Sequence, residues 1–202
     1  VVSGNVSFYN QTKNIGIKPT PVIGGVGLIS NYKNMVTMNL KENGNIILVI
    51  GKTEGHLDQS FFSRNILNEK NGPPPEINLF NEKNNGETIL KLIDKKFVKA
   101  AHDVSLGGII TALSKMCIKG KKGVTLKKPN YLINQFEYLF GEDQGRYIIE
   151  VNKNNLQDVI KILSENSVHF DELGTVTNDD LIIDNKSKVS IDDLIKSHTT
   201  WL

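Results

Sequence analysis

The chain has 202 residues, 39% of them hydrophobic and 23% charged, ordinary values for a globular protein that buries a core. Its 24 basic and 22 acidic residues leave a net charge of +2, with lysines scattered apart from short runs such as Lys119, Lys121 and Lys122. No basic stripe with interleaved aromatics and no apolar run near the ~20 residues of a membrane helix is present, so neither nucleic acid nor a bilayer is an expected partner. Cys117 is the only cysteine, which excludes an intramolecular disulfide and fits a reducing, cytoplasmic setting. Its apolar surroundings on a predicted helix read as those of a buried, inert thiol.

In chain order, residues 1–40 read as two extended segments. The first is β-branched and aromatic, interrupted by Gly4, Asn5 and Ser7. With no initiator Met and no leader ahead of it, this opening reads as the interior of a larger domain. It ends near Gln11 and Thr12, before a polar turn through Lys13 to Gly16. Pro19 and Pro21 bracket a turn ahead of the apolar run Val22–Ile29, whose three glycines either admit a ligand or backbone closely or relieve crowding beside a neighbouring strand.

A second unit is expected from Gly44. The continuous apolar run Ile46–Ile50 suits a strand buried on both faces. Helical spacing covers Leu57–Leu67, and Gly72-Pro73-Pro74-Pro75 forms a rigid connector that no helix can cross. An amphipathic helix is predicted over Thr88–Phe97 and a strand over Val98–Val104. A helix then runs to about Lys119, with Gly120 closing it as a C′ residue. Arg146–Val151 reads as a strand, Asn152 as the cap of a helix through about Glu165, and Val168–Thr177 and Leu181–Asp184 as extended. Ser190, with Asp193 three residues on, caps a last short helix, and Trp201 reads as a packing anchor. Strands alternating with helices define an α/β (or α+β) fold with a mixed sheet.

Three constellations carry chemistry. In His102-Asp103-Val104-Ser105-Leu106-Gly107-Gly108, a strand ending in Asp and Ser feeds a helix through two glycines. Free backbone N–H groups at that helix start favour an anion, and Asp103 adds a metal ligand. The alternative is that Ser105 caps the helix while Gly107 and Gly108 permit tight packing. In Leu139-Phe140-Gly141-Glu142-Asp143-Gln144-Gly145-Arg146, the carboxylates of Glu142 and Asp143 can hold a divalent cation, and Gln144 or Arg146 a phosphate or amide. Alternatively this is a charged turn with an internal Arg–carboxylate pair. In Gly4-Asn5-Val6-Ser7, a strand would place Asn5 and Ser7 on one face, where an amide oxygen suits Mg²⁺ and a hydroxyl suits a substrate oxygen. The alternative is a polar edge strand. His56, His169 and His198 stand apart from Cys or other His, which argues against zinc.

Taken together, these motifs and the Pro19-Thr20-Pro21-Val22-Ile23-Gly24 segment resemble the phosphoribosylformylglycinamidine synthase family of purine biosynthesis. The looser stretches Gly55–Ser60 and Gly72–Pro75 fit as well. The resemblance implies the C-terminal end of the second of two tandem halves. Residues 1–43 would be the tail of an aminoimidazole-ribonucleotide-synthetase-like N-terminal domain, and residues 44–202 a whole C-terminal domain. It implies an ATP-dependent ligase that converts formylglycinamide ribonucleotide, with ammonia from glutamine, to the amidine. Carried over residue by residue, Gly4 contacts ATP, Asn5 binds Mg²⁺ and Ser7 contacts the ribonucleotide. No catalytic residue falls on this chain. Asp103, Ser105, Gly107, Gly108, Glu142, Asp143 and Gln144 would line a pseudo-equivalent site, auxiliary or structural.

Departures from the family pattern weigh toward structural. Leu106 stands where an Asp is usual before the two glycines, Asp143 and Gly145 where Ser is frequent, and Asp58 where Gly is usual. Implied partners are the first half of the synthetase chain and, where not fused, a glutaminase subunit and a small bridging subunit. The chain alone is expected to be inactive. Two alternatives stand beside this reading: a non-catalytic scaffold with a degenerate nucleotide site, and another enzyme of the same superfamily.

Overall fold

The computed structural model describes residues 2–5, 9–18, 20–184 and 187–200. The chain divides into two compact units, Val1–Ser30 and Asn31–Leu202.

In the first unit, β1 (Gln11–Thr12) pairs antiparallel with β2 (Ile15–Gly16) across the polar turn. Lys13 takes the left-handed conformation, φ 55°, that so tight a connection needs. The Ile17 N–H donates to the Asn10 carbonyl (2.8 Å) and prolongs the hairpin. Outside this hairpin, the described residues of the two segments read as extended from sequence form no strand. Residues 2–5 and 9–10 carry no strand, nor do residues 20–29, and Val22, Val26 and Leu28 are fully exposed. A β-branched run becomes a strand only when a partner and a packed face are supplied, and a lone hairpin supplies neither.

The second unit is built on a seven-stranded sheet. Its strands are β3 (Ile46–Ile50), β4 (Val98–Val104), β5 (Gly123–Leu126), β6 (Arg146–Val151), β7 (Phe170–Thr177), β8 (Leu181–Ile182) and β9 (Lys188–Val189). They lie in the order β4-β6-β3-β7-β5-β8-β9, antiparallel throughout except for the parallel pair β5 and β8. The helices are α1 (Phe61–Asn65), α2 (Leu79–Asp94), α3 (Gly108–Gly120), α4 (Gln135–Phe140), α5 (Leu156–Glu165) and α6 (Ile191–Thr199). None among the described residues is long and apolar enough to cross a membrane.

Alternation along β3 explains its unbroken apolar run. Ile47 and Val49 pack with Ile109, Leu113 and Met116 of α3 and Leu139 of α4. Ile46, Leu48 and Ile50 point to the other face, against Ile89 and Leu92 of α2 and Val159 and Leu163 of α5. Each such side chain contributes roughly 1.5–3 kcal/mol on burial, so the central strand is read by both layers. An irregularity in β4 between Val98 and Ala100 switches its facing, sending Val98 to the α2–α5 side and Ala100 and Val104 to the α3 side.

Several boundaries move from the sequence reading. The helix expected over Leu57–Leu67 is only α1, capped by Ser60, whose Oγ accepts from the Ser63 N–H (3.1 Å). The helix expected over Thr88–Phe97 begins at Leu79, behind the Asn78 cap, and ends at Asp94. Its first half looks too polar for a helix, yet Asn85 is buried because its amide donates to the Gly145 carbonyl (2.9 Å). Lys96, left-handed at φ 62°, turns the chain out of α2 into β4.

Gly120 does not close α3 from outside. It is the helix's last residue, and Lys121 (φ 50°) takes the left-handed position. A Cβ at Gly120 would lie 2.6 Å from the Leu40 nitrogen, so this glycine serves a close approach of the segment before β3. The Ser190 cap does form. Its Oγ accepts from the Asp193 N–H (3.0 Å) and donates to Asp193 Oδ2 (2.6 Å). Trp201 lies outside the described residues.

Candidate functional site

The antiparallel registers bring the ends of β3 and β4 beside the start of β6, because Ile50 pairs with Tyr147 and Val104 with Arg146. The loops after β3 and β4 and the loop before β6 therefore meet at one end of these three neighbouring strands. Two of the three sequence constellations sit on those loops.

Asp143 and Arg146 form the buried half of the meeting point. The Asp143 carboxylate accepts from the backbone N–H groups of Glu54 (3.2 Å), Gly55 (3.0 Å) and His56 (3.1 Å). The Arg146 guanidinium has no exposed side-chain surface and stands 3.5 Å from Asp143 Oδ2. Its Nε donates to the Asp143 carbonyl (3.1 Å), Nη1 to Thr53 Oγ1 (3.1 Å) and Nη2 to the Gly141 carbonyl (2.6 Å). Burial lowers the Arg146 pKa from its ordinary value, while the Asp143 carboxylate opposes that shift. A guanidinium keeps its proton under any physiological condition, so the group is a buried cation satisfied by a fork of acceptors.

Glu142 closes the outer half. Its Oε1 accepts from the Phe61 N–H (2.8 Å) at the start of α1 and from the Gly107 N–H (2.7 Å) ahead of α3. One carboxylate thus meets orphan donors at two helix starts, where negative charge is favoured. Gln144 donates back to the Glu142 carbonyl (3.3 Å).

The glycine pair serves packing in this arrangement. Gly107 (φ 82°) is the N-cap of α3 and has no side chain of its own to cap that end. Gly108 (φ 70°) brings α3 so close to the end of α4 that a Cβ would stand 2.7 Å from the Leu139 and Gly141 carbonyls. Ser105 is exposed, and its carbonyl rather than its hydroxyl bonds the Gly108 N–H (3.0 Å). Hydroxyl capping by Ser105, one alternative from sequence, does not occur.

Asp103 falls on the opposite face of β4 from Val104 and does not join Glu142 and Asp143. Its half-exposed carboxylate meets only His102 Nδ1 (3.1 Å) among the described contacts. The structure thus unites Gly107, Gly108, Glu142, Asp143 and Gln144, and leaves Asp103 and Ser105 outside.

These residues do not fit a bound Mg²⁺. Among the described residues no group of three His, Cys, Asp or Glu side chains could hold a metal. Both Asp143 oxygens and Glu142 Oε1 already accept N–H bonds. In the first unit Gly4 and Asn5 are exposed, and nothing among the described residues lies within 4 Å of the position a Gly4 Cβ would take. One carboxamide oxygen is far short of an octahedral shell. Ser7 lies outside the described residues.

Sequence reasoning passed over one carboxylate. Glu150 in β6 has no exposed surface, and it accepts from the N–H groups of Lys41 (2.8 Å) and Glu42 (3.0 Å) and from Asn45 Nδ2 (2.6 Å). The signal was a lone carboxylate in an otherwise apolar strand. Thr53, the Nη1 acceptor, gave no signal at all.

Residues 42–184 match the family described as AIR synthase related protein, C-terminal domain. Over all 202 residues the chain is 84% identical to the phosphoribosylformylglycinamidine synthase subunit PurL of Pelagibacter ubique. It is 42% identical over 201 residues to the same-named subunit of Bartonella henselae. It spans 28% and 27% of those two proteins, respectively. Among solved structures, T. maritima PurL complexed with FGAR aligns with a TM-score of 0.68 and 20% identity, over 81% of this chain and 30% of that one. At that identity the likeness is one of fold. The mixed sheet with helices on both faces and the match over 42–184 agree, and the chain belongs to the AIR synthase related proteins, whose C-terminal domain it carries.

Proposed function

We propose that this chain is the C-terminal part of a phosphoribosylformylglycinamidine synthase. That enzyme is an ATP-dependent ligase that converts formylglycinamide ribonucleotide and glutamine-derived ammonia to the amidine. The observation that carries the reading is 84% identity sustained along the whole chain. In this reading residues 1–43 end an N-terminal domain and residues 44–202 form the C-terminal domain. Gly4, Asn5 and Ser7 contribute one wall of a site for ATP, Mg²⁺ and the ribonucleotide, and the other walls lie on the rest of the polypeptide. A glutaminase subunit and a small bridging subunit supply ammonia where they are not fused. The enzyme works in the cytoplasm, which suits a single unpaired thiol.

The C-terminal domain serves as scaffold. An auxiliary phosphate site would need the donors at the start of α3, and Glu142 already holds the one at Gly107. A metal there would need Asp143, whose oxygens already fix the loop after β3. Leu106 places an exposed apolar side chain where the family pattern has a carboxylate. The role of the motif is then positional: it locks three loops and two helix starts to one end of β4, β6 and β3.

A steady-state assay for the amidine product tests the ligase reading. The full-length protein containing this chain should turn over with ATP and ammonia, and residues 1–202 alone should not. A folded full-length protein without turnover would refute the ligase assignment. Turnover by residues 1–202 alone would refute the dependence on the missing walls.

A further inference from the structure

Away from the polar knot, the connection between β5 and α4 covers a cavity of about 280 Å³. Its walls are Leu126, Tyr131, Ile133, Tyr138, Leu139 and Ile183. The Tyr131 hydroxyl lies 3.3 Å from Asp171 Oδ2 and 3.4 Å from the Thr53 carbonyl, two acceptors that share its one proton. The Tyr131 ring meets the buried Tyr138 ring edge-on, with centroids 6.3 Å apart and planes at 76°. Two aromatic rings and aliphatic side chains make a largely apolar pocket that is partly open to solvent.

Size and charge narrow what such a chamber would take. A cavity of roughly 150 Å³ accepts benzene. The larger volume here therefore suits a single aromatic ring with a short side arm. Lys127 and Lys128 also line the cavity, and Gln135 adds a carboxamide. The Lys127 ammonium is engaged by Glu172. Lys128 is exposed and makes no hydrogen bond or ion pair among the described residues. We propose that this cavity is a binding site for a small aryl carboxylate, whose ring lies against Tyr131 and the aliphatic wall and whose carboxylate meets Lys128. The site is separate from the ligase reading and stands or falls without it.

Titration calorimetry on the full-length protein tests it, with 3-phenylpropionate as probe and 3-phenylpropan-1-ol as its uncharged twin. The acid should bind saturably, with Kd in the range of roughly 0.1–1 mM for a ligand of this size. The alcohol should bind more weakly. Lys128→Glu should weaken the acid by about fivefold and leave the alcohol unchanged, as loss of an exposed ion pair does. Ile183→Trp, which fills the chamber, should abolish both, with the melting temperature showing that the variant is folded. Should Ile183→Trp not fold, Lys128→Glu at its exposed position still decides. Absence of saturable binding to the full-length protein overturns the proposal, because the chamber is then covered or closed. Equal binding of the acid to wild type and Lys128→Glu overturns it as well.

Discussion

Glu150 and Asp143 show how this domain uses carboxylates. Each accepts three N–H bonds and so fixes a stretch of backbone: Lys41 to Asn45 for Glu150, Glu54 to His56 for Asp143. Hydrogen bonds to a charged group are worth about 1.5–3 kcal/mol each, and an unmatched buried donor costs a similar amount. Glu150→Gln keeps the shape but turns an amide N–H₂ toward an N–H donor. Urea denaturation should show a loss of about 2–4 kcal/mol. A change within 0.5 kcal/mol or so, typical of surface substitutions, would mean that water replaces those bonds. At this scale sequence alone was half legible. Glu142, Asp143 and Arg146 stood out as a charged cluster, and an internal ion pair was among their readings. Nothing in a linear string tells whether a carboxylate such as Asp143 faces backbone donors or a ligand, because its partners lie some ninety residues away in Glu54 to His56.

Elements were legible where one local pattern sufficed. β3, β4 and β6 have the bounds read from sequence, since their apolar runs are bracketed by turn residues or caps. α2 was cut short because its first turns are polar and owe their place to Asn85 reaching the Gly145 carbonyl. β5 and α4 leave no periodic sign in the sequence, because four and six residues are too few to show one. The start of α3 is the element on which the knot depends most. In Gly108→Ala the left-handed backbone costs about 1–2 kcal/mol. Displacing the end of α4 costs about 1–3 kcal/mol more. A thermal melt should therefore show a drop of many degrees, and an unchanged midpoint would mean that α3 can shift without loss.

On the scale of the whole molecule, the two units differ in how completely they are built. Asn31–Leu202 has two apolar clusters, one on each face of its sheet. Val1–Ser30 holds Gly4, Asn5 and Ser7, which we propose contact ATP, Mg²⁺ and the ribonucleotide, and it leaves Val22, Val26 and Leu28 exposed. The mixed α/β class was legible from alternating strands and helices. The sheet order was not, because it depends on pairings between distant strands. The polar knot is internally satisfied, which supports the proposal that the C-terminal domain is scaffold rather than a nucleotide site. Mg-ATP titrated calorimetrically into residues 1–202 should therefore give no saturable heat. Saturable binding in the micromolar range would show a nucleotide site instead and overturn the scaffold role.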